Sequence, residues 1–241
     1  MKLAVAWIAV LMTSMAVLVM SCAAQAPVAP DEAFERAVER ARAPDEDGAM
    51  TALRVALEAD SSAYQRALLE PAFSELRDTP AFRDAVHEAA VRHAVSHLTL
   101  VPEDEPGEWL AIEGQVIGPA GETVPRAVVR IFATDAEGRY HPEIDGERVP
   151  RIFGTVVADA EGRFVFQTVR PGPYPGTRNA RHIHISARTA DLRLARPGYA
   201  VFDDDPLLYE PQSAEQRGEA IRIVMQPADG QMHGTLLLPM R

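Results

Sequence analysis

Two histidines separated by one isoleucine, in Arg181-His182-Ile183-His184, are the residues of this chain best placed to do chemistry. In an extended strand, residues i and i+2 leave the same face, so the two imidazoles would project side by side about 7 Å apart along the chain. Such a pair can hold zinc, copper, iron or nickel alike, or can sit exposed on an edge strand with no ligand at all. The tyrosines narrow the choice. Of the five in the chain, Tyr140 ends the run TDAEGRY (134–140), which is echoed by ADAEGRF (158–164) with Phe164 in the equivalent place. A phenol where the twin turn needs only a ring points to a use for the hydroxyl. Tyr174 lies between prolines in RPGPYPG, a stiff extended approach to the histidines. The ordinary phenol pKa is about 10, and a ferric ion would hold the group as phenolate by stabilising the anion. Two phenolates and two neutral imidazoles make a hard, charge-rich donor set suited to Fe(III).

The elements that must position these residues are short strands. From residue 109 onward the hydrophobic period is two, in the runs WLAIEGQVI, AVVRIFAT, IFGTVVA, RFVFQTV, HIHISART, AIRIVMQ and GTLLLP. Seven such runs with Gly, Pro and Asp between them predict a mainly-β, immunoglobulin-like sandwich over 109–241. Gly138 and Gly162, in the echoed turns, are expected at positive φ in tight hairpins. The region 31–100 instead has helical spacing and ends in TPAFRDAVHEAAVRHAVSHL, a helix of about five turns with a threonine cap before Pro80. A break is expected at Pro71. His87, His93 and His97 fall in that last helix. The 93/97 spacing suits a metal, but the helical metalloprotease pattern needs a glutamate after the first histidine, and Ala94 stands there. A solvated or half-buried face is the better reading. The polar segment VPEDEPGE (101–108) reads as a linker. His141 should point away from Tyr140, and His233 should lie in a late turn; both read as structural. Tyr199 and Tyr209, in the loop RPGYAVFDDDPLLYEP, would either line a pocket mouth or cover a core edge.

The formal charge of −11 excludes a nucleic-acid binder, which needs a basic surface. Residues 1–21 form a signal-peptide pattern: Lys2, then an almost continuous apolar run. Val19-Met20-Ser21-Cys22 resembles a bacterial lipobox, with Met20 an unusual occupant. That resemblance implies a lipid-modified Cys22 at the head of a tether (22–30), and so an exported chain held at the membrane of the bacterial envelope. Cleavage after AQA (24–26) and an uncleaved membrane anchor are the alternatives.

The runs GQVIGPAGETVPRAVVRIFATDAEGRYHP, FGTVVADAEGRFVFQTVRPGPYPG and RHIHISA together resemble the intradiol ring-cleavage dioxygenases, the protocatechuate and catechol dioxygenase superfamily. The resemblance implies a non-haem ferric centre with Tyr140, Tyr174, His182 and His184 as ligands, on a β-sandwich. It also implies O₂-dependent cleavage of a catechol between its hydroxyl-bearing carbons, giving a muconate-type diacid. Tyr174 would be the ligand displaced by substrate and its proton acceptor, and Tyr140 the permanent ligand. Two departures stand out. The family's arginine three residues before the first histidine is Asn179 here, with Arg178 and Arg181 flanking it as candidate substitutes in stabilising substrate charge. Phe132 stands where relatives often have tryptophan. The first of these runs also resembles carboxypeptidase-regulatory-like and transthyretin-like modules, which are non-catalytic. An inactive metal-binding relative is the third reading.

Overall fold

The structure, a computed structural model, describes residues 29–141, 149–189, 191, 195–210, 220–228 and 231–241. Residues 1–21, expected to be a signal peptide, and Cys22 lie outside the described residues.

Four helices come first: α1 (Pro30–Arg42), α2 (Glu46–Ala59), α3 (Ser62–Leu69) and α4 (Pro80–His93). Side-chain caps set two of their starts. Asp45 accepts the Gly48 N–H at 3.0 Å, and the Thr79 hydroxyl accepts the Phe82 N–H at 3.2 Å, with Pro80 at the first helical position. Pro71 breaks the chain after α3 into two 3-10 turns, Pro71–Phe73 and Leu76–Asp78.

The last helix is shorter than its sequence pattern predicts. It stops at His93 because Ala94 adopts a left-handed conformation (φ 52°) that closes the C-terminus. The next residues then turn to sheet pairing: Val95 O accepts the Val157 N–H and Ser96 O the Val165 N–H. Residues His97–Thr99 form a first strand, β1, which buries Leu98 between the helices and the sheet. His97 is therefore on a strand, the 93/97 metal spacing does not exist, and the His93 Nε2–H donates to Leu57 O at 2.9 Å.

The remaining strands are β2 (Trp109–Ile117), β3 (Val128–Ala133), β4 (Ile152–Val157), β5 (Arg163–Val169), β6 (His182–Arg188), β7 (Ala195–Phe202), β8 (Ile221–Ala228) and β9 (Gln231–Pro239). Together with β1 they form one nine-stranded sheet in the order β1-β5-β2-β9-β8-β7-β6-β3-β4. It curls until its two ends meet, where the Val157 N–H of β4 reaches Val95 just before β1. All seven expected runs are strands. β1 and β7 are additions, so Tyr199 lies on a strand rather than in a loop, and His233 lies on β9 rather than in a turn. Both echoed glycines do have positive φ, 84° at Gly138 and 75° at Gly162. The first turn lies in the long connection between the antiparallel partners β3 and β4, whereas the second joins β4 to β5, which pairs with β1 and β2 instead, so it carries the chain across the sandwich.

The buried side chains of the helices and of the sheet form one continuous core, in which Phe73, Phe82, Phe164, Phe166 and Phe202 are fully enclosed. Tyr64 of α3 pins the two parts together. Its hydroxyl donates to Thr155 O at 2.8 Å and accepts the Thr155 N–H at 2.7 Å, satisfying both backbone groups on the free side of edge strand β4. The segment 101–108 is no free linker either: Glu105 is buried and clamps Arg151 through two hydrogen bonds of 2.9 and 2.6 Å.

Candidate metal centre

Strand β6 alternates buried Ile183, Ile185 and Ala187 with His182, His184, Ser186 and Arg188 on its other face. The sheet register places His184 between Phe132 of β3 and Tyr199 of β7. The Phe132 ring stacks on the His184 imidazole with centroids 4.5 Å apart and planes within 4°, which fixes the imidazole's tilt. Tyr199 packs against both histidines, with ring centroids 5.5 Å from His182 and 6.5 Å from His184. The His182 Nδ1 lies 2.9 Å from Ala180 O. A carbonyl only accepts, so Nδ1 carries the proton and Nε2 presents its lone pair.

The tyrosines arrive on two loops that dock against each other. In the turn after β3, the Asp135 carboxylate accepts the N–H groups of Glu137 and Arg139, both at 2.9 Å. Asp159 does the same for Glu161 and Arg163 at 3.0 and 2.8 Å, so the sequence echo is an echo of hydrogen bonding. What distinguishes the first turn is its neighbour. Asp135 O accepts the Gly172 N–H at 2.8 Å, and Gly138 lies so close to the RPGPYPG segment that a Cβ there would come within 1.9 Å of Pro173 O. Two glycines, Gly138 and Gly172, thus let the Tyr140 loop and the Tyr174 loop touch backbone to backbone. The Arg151 N–H then holds Tyr140 O at 2.9 Å, and Arg151 is itself anchored by Glu105.

The result is a knot of four donor atoms. The Tyr140 and Tyr174 hydroxyl oxygens are 2.5 Å apart, and each lies 3.0 Å from His184 Nε2. His182 Nε2 lies 3.2 Å from the Tyr174 oxygen. Burial pushes the His184 imidazole down to about 4, helped by the neighbouring His182, and burial also lowers His182 against the opposing effect of its bond to Ala180. Both rings are neutral near pH 7, the state in which an imidazole nitrogen can bind a Lewis acid. Ligands bound at about 2 Å to one centre sit roughly 3 Å from each other, which is the spacing found here. Among the described residues no group of three or more His, Cys, Asp or Glu side chains comes together to hold a metal, so a metal at this site would need the phenols.

The two candidate arginines are placed differently. Arg178 is exposed and pairs with Glu210 at 2.8 Å. Arg181 pairs with Asp205 at 2.9 Å, and the Asp205 carboxylate, fully buried, also accepts the Arg181 and Leu207 N–H groups. His141 turns to Asp78, with Nε2 3.4 Å from the carboxylate. Tyr209 is exposed and donates to Asp203 O. Tyr199, one of two tyrosines expected at a pocket mouth or a core edge, does wall the site, while sequence reasoning missed Asp205 and the Glu105–Arg151 clamp. An aspartate before Pro206 is a capping signal that would have marked the first; nothing local marks the clamp.

Comparison with known proteins identifies the family of the chain. A family model described as "Dioxygenase" matches residues 76–207, more than half of the chain. The protocatechuate 3,4-dioxygenase beta chain of Burkholderia cepacia is 34% identical over 125 residues, 46% of this chain and 52% of that one. The alpha chain of protocatechuate 3,4-dioxygenase from Pseudomonas putida is 29% identical over 110 residues, covering 44% and 55%. The chain thus spans about half the length of these curated relatives. Chlorocatechol 1,2-dioxygenase from Pseudomonas putida superposes with a TM-score of 0.50 at 19% identity, over 59% of this chain and 64% of that one, and shares its fold. With the family model matched from the 3-10 turns before α4 through β6 and β7, this chain belongs to the intradiol ring-cleavage dioxygenase family.

Proposed function

We propose that the protein is a non-haem ferric dioxygenase that cleaves a catechol between its hydroxyl-bearing carbons, using O₂. The observation that carries this reading is the convergence of two phenol oxygens and two imidazole Nε2 atoms, joined by four contacts of 2.5–3.2 Å. A ferric ion held by Tyr140, Tyr174, His182 and His184 would supply the Lewis acidity and redox chemistry that open a catecholate to O₂ and yield a muconate-type diacid.

The protein's own part is to hold the donors and to move a proton. His182 and His184 stay neutral and oriented, one through Ala180 O and the other through Phe132. Tyr140 is held from behind by the Asp135 turn and the Arg151 N–H, which suits a permanent ligand. Tyr174 sits on an open segment, where Gly176 (φ 74°) has no neighbour within 4 Å of its Cβ position. Its side chain is the one free to swing out, and as a phenolate it takes one of the two protons a catechol sheds.

The pairing of Arg178 with Glu210 and of Arg181 with Asp205 favours a second reading, a metal-binding relative with reduced turnover. The test compares ring cleavage, iron content and catechol-bound spectra of the wild type, Tyr174→Phe and Tyr140→Phe over a panel of catechols. Tyr174→Phe should keep iron and turn over poorly, and Tyr140→Phe should lose iron. Iron binding without cleavage of any catechol would establish the second reading, and two variants identical to wild type would remove both. We also infer that Cys22 is lipidated and tethers the exported chain. Cys22→Ser should then release it from membranes, because attachment needs two or more acyl chains.

A further inference from the structure

The face of β6 that carries His182 and His184 continues through Ser186 to Arg188. Arg188 is four residues beyond His184, about 13 Å along the strand. There it borders a groove of about 760 Å³ between α4 and the ends of β3 and β6, lined by His87, Glu88, Val91, Arg92, Val128, Arg188 and Thr189. Arg130 lies two residues from Val128 on the same face of β3, opposite Ser186.

Three features set this groove apart from an ordinary solvated patch. Arg130, opposite Ser186, and Arg188, opposite Val128, are diagonal neighbours on one face of the sheet, and Arg130 has no ion pair among the described residues. The neighbouring His87 adds no counter-charge, since its Nε2 accepts from the Arg188 guanidinium at 3.2 Å and its Nδ1–H donates to the Thr155 hydroxyl at 3.0 Å. Among the described residues, Asp84 is near enough to act on Arg130 but forms no ion pair with it, and the ion pair of Arg92 is with Glu58 at 3.7 Å. Glu88 is the carboxylate in the groove lining and has no ion pair with Arg130 or Arg188 among the described residues, so this pair of guanidiniums on one sheet face leaves a place for an anion, and guanidinium suits carboxylate through paired hydrogen bonds. Val91 and Val128 give the groove an apolar wall, and its volume is that of a small-molecule site.

We propose that the groove between α4 and the β3–β6 strand ends is a second binding site, for a carboxylate with an apolar body, held by Arg130 and Arg188 apart from the metal centre. This stands independently of the catalytic reading, because it uses none of the four donor residues.

The test is calorimetric titration of the full chain, iron-loaded and iron-free, with sodium benzoate, neutral benzamide and inorganic phosphate at low salt. Saturable benzoate binding is expected in both forms, at least tenfold tighter than benzamide or phosphate. It should weaken at least tenfold in the Arg130→Gln/Arg188→Gln double variant, while the catechol-induced spectrum of that variant is unchanged. Arg130→Lys/Arg188→Lys, which keeps both charges, should fall between the two and shows that the loss is not one of folding. Any one of four results overturns the proposal. These are no saturable benzoate binding, benzamide binding as well as benzoate, phosphate binding as well as benzoate, or benzoate binding that needs iron and survives the double glutamine variant.

Discussion

Gly138→Ala should unmake the metal centre without unfolding the protein. Gly138 has a φ of 84°, and the left-handed region costs an alanine about 1 kcal/mol. Its Cβ would also lie 1.9 Å from Pro173 O, where real contacts are essentially never below 3.0 Å, so the two loops must part by about 1 Å. The total loss of stability should be about 2–3 kcal/mol. The larger consequence is functional, because those loops carry Tyr140 and Tyr174, whose oxygens are 2.5 Å apart. Disturbing such outer support typically costs 10–100-fold in metal affinity, and that range is expected here. Gly162→Ala is the matched control. It sits in the twin turn with a φ of 75°, but its Cβ would meet nothing nearer than Val116 O at 2.9 Å, and its turn ends in Phe164 instead of a ligand. It should lose about 1–2 kcal/mol of stability and less than about twofold in iron affinity. Urea unfolding of the iron-free chains and competitive iron titration read the two quantities separately. Equal iron affinity in the two variants would refute the idea that glycine-mediated loop contact builds the site.

Three further outcomes follow from the same structure. Burial, with Arg130 and Arg188 adding to it and Asp84 opposing, depresses His87 to about 4, so between pH 6.5 and 4 the unfolded chain binds the extra proton. Wild-type stability should therefore fall as pH drops through that window, and His87→Asn should remove about 1–2 kcal/mol of the fall after allowance for solvent screening, read by urea denaturation at pH 7 and pH 4.5. Tyr64→Phe leaves the buried N–H and C=O of Thr155 without their partner and should cost about 2–3 kcal/mol with no change in iron content, measured by thermal unfolding and metal analysis. Asp205→Ala strips a buried carboxylate from the half-exposed Arg181 side chain and from the Arg181 and Leu207 N–H groups at the head of β6, and should destabilise by about 2 kcal/mol, the loss of charge-assisted hydrogen bonds. A calorimetric loss below about 1 kcal/mol would show that Arg181 finds water instead.

The sheet and the donor set were legible because their signals are local. Trp109–Ile117 and Arg163–Val169 coincide with the strands read from period two, and the His-x-His spacing alone put both imidazoles on one face. β7 was hidden because Pro197 and Gly198 lie inside it, residues that ordinarily mark a loop. β1 was hidden because its three residues follow a helical pattern, and only their parallel pairing with β5 makes them a strand. The arginines illustrate the same limit. Nothing in Thr177-Arg178-Asn179-Ala180-Arg181 foretells Glu210 and Asp205 as partners, since these come from a loop about thirty residues away. The helical region is likewise amphipathic in sequence without saying what it covers, and its role in pinning β4 through Tyr64 is a long-range fact.

The most direct test of the central claim is metal analysis of the purified chain together with its visible spectrum. The account predicts about one ferric ion per chain and a visible phenolate-to-iron charge-transfer band that moves when a catechol is added. Stoichiometric zinc in a colourless protein, or no metal after ferric reconstitution, would contradict it.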